Sequence, residues 1–317
     1  MTNYQELLDA GVHFGHLKRK WNPNMAPFIF MEKNGIHIID LNKTIAKIDE
    51  ASTAIKQIAK SGKKVLFVAT KKQAKDIVGE MVKKVNMPYV TERWPGGMLT
   101  NFATIRKAVK KMSSIDKMMT DGTFGNISKK ERLQITRERA KLEKNLGSIA
   151  DLSRLPAALF IVDINKEHIA VAEAKKLNIP TFAIVDTNSN PNEVDFPIPA
   201  NDDASKSISV IVNSMVQAIE DGLAERKFDK DKQIEDEKEE QAIALAKSKT
   251  LEELEEDDEN DDEVLKAKKL AAKETALKTI KIKNVAFDEP ADGGDKQGIL
   301  KRSPLAKRAT LKKPIKK

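Results

Sequence analysis

The chain has 317 residues, a formal net charge of +8 and no cysteine. This length allows one large domain or two ordinary ones, and the lack of cysteine excludes disulfides, thiolate metal sites and cysteine nucleophiles and suits a reducing cytoplasm. No apolar run approaches the roughly 18 residues of a membrane span, and the polar start does not resemble a secretory signal, so we expect a soluble cytoplasmic protein.

The charge is unevenly distributed along the chain. Residues 1–228 hold 35 basic and 26 acidic residues, residues 229–263 hold 5 basic and 17 acidic ones, and residues 264–317 hold 16 basic and 5 acidic ones. Blocks of like charge are typical of disordered interaction tails. The pattern therefore predicts a globular domain over 1–228 and a charged, largely disordered extension over 229–317. The basic globular part indicates a polyanion as partner.

The first predicted elements are an opening helix, a turn at HFGH (His13 to His16) and a β-hairpin. The hairpin is predicted because two apolar runs flank Asn34-Gly35, a dipeptide that favours a tight turn. A helix follows, with apolar residues at helical spacing and Gly62 in the position just beyond its C-terminal cap.

Short apolar runs then alternate with helical patterns. The runs KKVLFVAT, MPYVTERW, PAALFIVDI and IPTFAIVDT predict strands, and KKQAKDIVGEMVKKV, KEHIAVAEAKKLN and ASKSISVIVNSMVQAIEDG predict helices. Apolar strands linked by helices are typical of a parallel sheet covered on both faces. We therefore predict an α/β fold with a three-layer, doubly wound parallel sheet.

Residues 101–149 interrupt this alternation and predict an inserted coiled-coil helical hairpin. Its second helix begins with a capping box, Ser128 with Glu131, and apolar residues then recur at seven-residue spacing. Between residues 103 and 147 there are 12 basic and 5 acidic residues. A projecting basic hairpin is suited to reach a phosphate backbone.

Two histidines three residues apart raise the question of a metal site. Four histidines and no cysteine make a typical zinc site improbable, and the alternative is that His13 and His16 are hydrogen-bonded structural residues. If His16 folds over the edge of the sheet where the strands end, it can meet the aspartates that follow those strands, such as Asp186 and Asp203. These three residues are the candidates for a divalent ion, and no other cofactor is predicted.

An enzyme with a nucleotide cofactor is a second alternative, because the fold would allow it. The chain has neither a GxxxxGK[ST] motif nor the glycines of a dinucleotide-binding turn after its first apolar strand. No catalytic triad is suggested by residue order. We therefore predict that the protein is not an enzyme.

Two stretches interleave cations with tryptophan, LKRKWN and TERWPGGMLTN, and the second leads directly into the basic hairpin. Arginine and tryptophan can stack on bases, and glycines allow backbone N–H groups to approach phosphates. Core packing would explain either tryptophan alone, but both beside a basic arm indicate nucleic acid. The predicted RNA- or protein-docking residues are Lys18, Arg19, Lys20, Trp21, Asn22, Arg93, Trp94, Gly96, Gly97, Asn101, Arg106, Lys107, Lys110, Lys111, Arg132, Arg137 and Arg139.

These stretches also carry a family resemblance. The segments LLDAGVHFGHLKRKWNPNMAPFIFMEKNGIHIIDLNKT, ERWPGGMLTNFATI and KEHIAVAEAKKLNIPTFAIVDTNSNPNEVDFPIPANDDA resemble the bacterial family of the second protein of the small ribosomal subunit. The resemblance runs from Tyr4 to about Ala224. Pro95, where the family pattern leads us to expect leucine, and the long charged extension depart from it.

The resemblance implies a flavodoxin-like domain with an inserted helical hairpin, and a structural rather than enzymatic role. It implies binding to small-subunit rRNA and to neighbouring ribosomal proteins, including the large mRNA-binding ribosomal protein that the family helps to anchor in many bacteria. The alternative that the residues leave open is an RNA-binding or partner-recruiting module that acts off the ribosome.

Overall fold

The computed structural model of the chain describes residues 3–121 and 128–256. The chain forms two compact units, Met1–Lys238 and Glu239–Lys317. The first unit contains a five-stranded parallel sheet and a three-stranded antiparallel sheet. Among the described helices, none combines the length and the apolar composition that crossing a bilayer requires.

The strands of the parallel sheet are β4 Val65–Val68, β5 Tyr89–Val90, β6 Ala158–Val162, β7 Thr181–Val185 and β8 Phe196–Pro199. Their order across the sheet is β5-β4-β6-β7-β8. Their alternate side chains enter two separate cores, with Phe67 and Phe160 on one face and Leu66 and Leu159 on the other. The predicted three-layer α/β fold is thus confirmed.

Seven α-helices accompany these sheets in the described residues: α1 Tyr4–Asp9, α2 Leu41–Lys60, α3 Lys72–Lys84, α4 Phe102–Thr120, α5 Lys129–Leu146, α6 His168–Lys176 and α7 Ser205–Glu256. The first three and the N-terminal half of α7 cover the Phe67 face, and α6 covers the other face. Helices α2 and α7 approach closely at Gly222, where a Cβ would lie 2.5 Å from the carbonyl oxygen of Lys56.

The antiparallel sheet consists of β1 Phe14–Leu17, β2 Ile29–Lys33 and β3 Ile36–Ile39, in the order β1-β3-β2. The hairpin predicted at Asn34-Gly35 is confirmed, and both turn residues have positive φ, as a tight hairpin turn requires. The prediction of a turn at HFGH is wrong. Residues Phe14–Leu17 form strand β1 because β3 offers a free edge with which it pairs.

The inserted hairpin is present as helices α4 and α5, and Ser128 caps α5 by accepting a hydrogen bond from the Glu131 N–H. The coiled-coil packing of this hairpin stays a prediction, and the connection between its two helices, residues 122–127, lies outside the described residues. Helix α7 continues through residues 229–256, where charge composition predicts a disordered extension. The abundant Glu, Lys, Ala and Gln of this segment have high helix propensity. Residues 257–317 lie outside the described residues.

Candidate functional site

The basic stretch after β1 lies on the surface. Lys18–Lys20 form one turn of 3-10 helix with exposed side chains. The Lys18 ammonium lies 2.7 Å from the Glu32 carboxylate, whereas no ion pair links Arg19 or Lys20 to another residue in the described ranges. Two of the three cations are therefore available to an anionic partner.

Trp21 and Asn22 follow this turn and tie it to the domain. The Trp21 indole is 37% exposed and packs on His37, with ring centroids 5.2 Å apart. The Asn22 N–H donates to the carbonyl oxygen of Thr187, at 2.8 Å, just after β7. The chain also passes close to Thr187 at Gly15, where a Cβ would lie 2.6 Å from the threonine side chain. A glycine is required at this approach because any side chain would push β1 away.

The loop between β5 and α4 is built around the carboxylate of Glu173 on α6. Glu173 is 8% exposed and accepts hydrogen bonds from the Gly97 N–H at 2.7 Å, from the Leu99 N–H at 2.9 Å and from the Thr100 N–H at 3.1 Å. The Trp94 indole N–H and the Thr100 hydroxyl donate to it as well. Burial works to raise the pKa of Glu173, but these hydrogen bonds outweigh it and lower the pKa below its usual value.

This arrangement corrects two roles suggested by sequence. Trp94 is only 6% exposed and lies in a core, so its ring cannot stack on a base. The Gly97 N–H is already donated to Glu173, so it is not free to bind phosphate. Of the predicted docking residues in this loop, Arg93, Gly96 and Asn101 are exposed.

The hairpin cations divide into free and paired ones. Lys111 forms an ion pair with Glu138, and Arg139 forms ion pairs with Asp116 and Glu143. Arg106 donates to the carbonyl oxygen of Ser153. Arg132 has a buried Nε without a hydrogen-bond partner in the described part of the chain. Seven further cations of the hairpin are exposed and have no protein partner within residues 3–121 and 128–238, namely the predicted docking residues Lys107, Lys110 and Arg137 together with Lys117, Lys129, Lys130 and Lys141.

A cluster of carboxylates lies where the parallel strands end, as the sequence predicted. The Nδ1 atom of His16 lies 2.8 Å from the Asp186 carboxylate, and its Nε2 lies 3.5 Å from that of Asp203. His16, Asp186 and Asp202 each offer a ligand atom within 4.8 Å of the others. Asp202 thus replaces Asp203 in the candidate metal-ligating set. The Asp202 side chain is fully buried, whereas that of Asp203 is 52% exposed.

Lys71 is the cation of this cluster. Its ammonium lies 2.9 Å from Asp202, 2.6 Å from Asp203 and 3.5 Å from Asp163. Although burial works to lower the pKa of Lys71, the hydrogen bonds that its ammonium donates to Asp203 and Asp202 raise it well above its usual value. Lysine therefore stays charged and neutralises part of the cluster.

The pKa of Asp202 is raised to about 7, mainly by burial; the neighbouring charges of Asp186 and Asp163 also raise it, and Lys71 lowers it. The hydrogen bond to Asp186 is the main cause of the raised pKa of His16. Asp202 Oδ2 is buried without a hydrogen-bond partner among the described residues. The cluster therefore holds more negative charge than its own cations satisfy.

Two residues important to these sites were missed by reasoning from sequence. Glu173 stands in a helix among alanines and lysines, where a glutamate is ordinarily exposed, and Lys71 is one of two adjacent lysines after a strand. The signal for Lys71 was its position, since it lies three residues after the end of β4 and therefore near the sheet edge that Asp163 and Asp186 occupy. No signal pointed to Glu173, because its partners lie more than 70 residues away.

The chain is similar to known proteins over most of its length. The family model described as Ribosomal protein S2 matches residues 7–222. The small ribosomal subunit protein uS2 of Phocaeicola vulgatus is 72% identical over 229 residues, which are 72% of this chain and 82% of the relative. The protein of the same name from Flavobacterium johnsoniae is 71% identical over 227 residues, covering 72% of this chain and 89% of the relative. That from Parabacteroides distasonis is 69% identical over 229 residues.

Proposed function

The chain belongs to the ribosomal protein S2 family. We propose that it binds small-subunit rRNA through its basic hairpin and N-terminal basic stretch. It is a structural component of the small ribosomal subunit and not an enzyme, and its partners are rRNA and ribosomal proteins. Co-sedimentation of the full chain with small subunits in a sucrose gradient tests this role, and a chain that stays at the top of the gradient would contradict it.

The observation that supports the binding mode best is the set of unpaired hairpin cations. Lys107, Lys110 and Arg137 project from α4 and α5 without an intramolecular carboxylate in the described ranges. Phosphates of an RNA backbone can therefore pair with them without breaking an existing ion pair. Lys111 and Arg139 must first give up Glu138 and Asp116, so they contribute less. Such binding depends on salt and is largely independent of base sequence.

A triple replacement of Lys107, Lys110 and Arg137 by alanine tests this division. Each neutralised phosphate contributes about 0.9 to the slope of log affinity against log salt for duplexes, so the variant should have a slope that is shallower by about 3. The matched control is Lys111→Ala with Glu138→Ala, which removes a pair without changing the net charge. Equal losses for both variants, measured by filter binding to small-subunit rRNA, would contradict the proposal.

The N-terminal stretch and the loop over Glu173 complete the proposed docking surface. The exposed members are Lys18, Arg19, Lys20, Trp21, Arg93, Gly96 and Asn101. They face rRNA or neighbouring ribosomal proteins, and the large mRNA-binding ribosomal protein is the proposed protein partner. Trp94 and Gly97 contribute indirectly by fixing the loop. Crosslinking of the assembled subunit from Arg93→Cys, with the cysteine-free chain as control, identifies the neighbours of this surface.

The charged extension over residues 229–317 is proposed to act separately from the globular domain over 1–228. Its basic end, with a net charge of +11 over residues 264–317, is suited to touch rRNA, and its acidic block is suited to shield that end before assembly. Deletion of residues 229–317 should leave the final extent of incorporation into the subunit unchanged but lower its rate. Unchanged assembly kinetics and translation would remove any role for the extension.

The family normally has no cofactor, and a divalent cation at the aspartate cluster is a further proposal. His16, Asp186 and Asp202 fit such an ion because they supply one imidazole and two carboxylates, and the buried Oδ2 of Asp202 has no hydrogen bond in the described region. An ion there would neutralise the excess negative charge and hold β1 to the sheet edge. Asp186→Asn should lose metal measured by mass spectrometry, whereas the exposed control Asp49→Asn should not, and equal metal content in both would refute the site.

A further inference from the structure

A shallow cleft on the antiparallel sheet combines an exposed aromatic ring with cations. It encloses about 710 Å³ and is lined by Leu17, Lys18, Arg19, Trp21 and Gly35. Gly35 stands at the tip of the β2–β3 hairpin with a φ of +74°, and a Cβ there would meet no atom within 4 Å. The cleft is therefore open on the side of the hairpin tip.

One face of the Trp21 ring packs against the protein. It packs on the imidazole of His37, which is only 7% exposed and whose two ring nitrogens have no hydrogen-bond partner in the described part of the chain. The backbone N–H of Trp21 donates to the Lys18 carbonyl oxygen, and the next N–H donates to Thr187. An indole fixed on one side and exposed on the other is a preformed surface for stacking.

The charge around this ring is positive. Arg19 has no ion-pair partner among the described residues, and no acidic residue lines the cleft. Glu32 approaches the Lys18 ammonium, so Arg19 carries the unpaired charge. The cleft thus offers a flat aromatic face and a guanidinium side by side.

We propose that this cleft binds one unstacked nucleotide of single-stranded RNA, with its base on the Trp21 ring and its phosphate against Arg19. The proposal rests on the proposed binding of rRNA and assigns a nucleotide-sized subsite within it. A nucleotide uses both features of the cleft, since every base has a π-face and every nucleotide carries one phosphate. An acidic peptide would use the cations but leave the exposed ring without a partner.

The chain contains two tryptophans, and only Trp21 is substantially exposed, which makes intrinsic fluorescence a direct probe. The full chain is titrated with a ten-nucleotide oligoadenylate, with inorganic polyphosphate as an anion that lacks bases. We expect the oligoadenylate to quench the fluorescence of the wild-type chain and polyphosphate to leave it unchanged. Trp21→Phe, in which only the buried Trp94 emits, should show no quenching.

Affinity for the same oligonucleotide provides the second measurement. Trp21→Leu keeps apolar contact with His37 but removes the aromatic face, and it should weaken binding about 5- to 150-fold, the loss expected for one stacked base. Trp21→Phe should recover most of this loss. The matched control is Phe30→Ala, because Phe30 is 70% exposed on the same sheet but does not line the cleft, and it should change affinity less than twofold.

The outcomes separate this proposal from the one on which it rests. Salt-dependent binding of rRNA without quenching, or with equal affinity for Trp21→Leu and the wild-type chain, would overturn the nucleotide subsite alone. Failure to bind rRNA at all would overturn both. Quenching by polyglutamate rather than by oligoadenylate would assign the cleft to an acidic protein segment instead. If Trp21→Leu does not fold, the fluorescence comparison with Trp21→Phe still decides.

Discussion

Replacing Glu173 by glutamine tests whether one buried carboxylate holds the loop between β5 and α4. One oxygen of Glu173 accepts from the Trp94 indole and the Gly97 N–H, and the other accepts from Leu99 and Thr100. A glutamine keeps one acceptor and turns an NH₂ donor toward the other set of donors. At least two hydrogen bonds to a charged acceptor are lost, each worth about 1.5–3 kcal/mol. Because the loop can shift and recover part of this, we expect a loss of about 3 kcal/mol.

Urea unfolding of the full chain, followed by circular dichroism, measures this loss. With a slope of about 2–3 kcal/mol/M, the midpoint should fall by about 1 M or slightly more. The control is Glu80→Gln on α3, an exposed glutamate, which should stay within about 0.5 kcal/mol of the wild-type chain. A Glu173→Gln chain as stable as this control would refute the reasoning.

The stability difference between the wild-type and Glu173→Gln chains is predicted to depend on pH. Since the pKa of Glu173 is lower in the folded chain than its ordinary value of 4.5, its contribution to stability is present above pH 4.5. The contribution is lost as the pH falls through the lower pKa of the folded state. The stability difference between the wild-type and Glu173→Gln chains should therefore narrow in acid, and a difference that is constant from pH 7 to pH 3 would contradict this assignment.

Three further changes test other parts of the structure. Gly97→Ala should cost about 1–2 kcal/mol, because its φ of +83° is unfavourable for alanine, whereas Gly96→Ala, with open space at its Cβ, should cost under about 0.5 kcal/mol in the same unfolding assay. Gly222→Ala should cost about 1–3 kcal/mol and lower the melting temperature, since its Cβ would overlap a carbonyl oxygen of α2. Lys71→Met removes the cation that lowers the pKa of Asp202, now about 7. Without Lys71 the pKa of Asp202 rises further, so an ionised Asp202 costs the folded chain more free energy at pH 8.5 than at pH 6.5. The loss of unfolding free energy caused by Lys71→Met, measured with a chelator present, should therefore be larger at pH 8.5. An equal loss at both pH values would count against the ion pair.

Local patterns were sufficient for most of the fold. The hairpin at Asn34-Gly35, the buried strands and the cap at Ser128 each depend on residues within a few positions of one another, so the sequence predicts them directly. The strand at Phe14–Leu17 was not predicted, because it forms through pairing with β3, some 20 residues away. For the same reason the burial of Trp94 could not be predicted from the sequence, since the core residues that cover it come from distant elements.

The sequence by itself determined the α/β class, the inserted basic hairpin, the ends of the strands where aspartates gather, and the family. These features follow from spacing, charge and turn residues that are adjacent in the chain. Only the tertiary structure decided which charges are free and which are paired, because Lys111, Lys71 and Glu173 take partners from 27 to more than 100 residues away. It likewise decided that Trp21 is exposed and Trp94 is buried, since exposure depends on how the elements pack and not on the residues beside each ring.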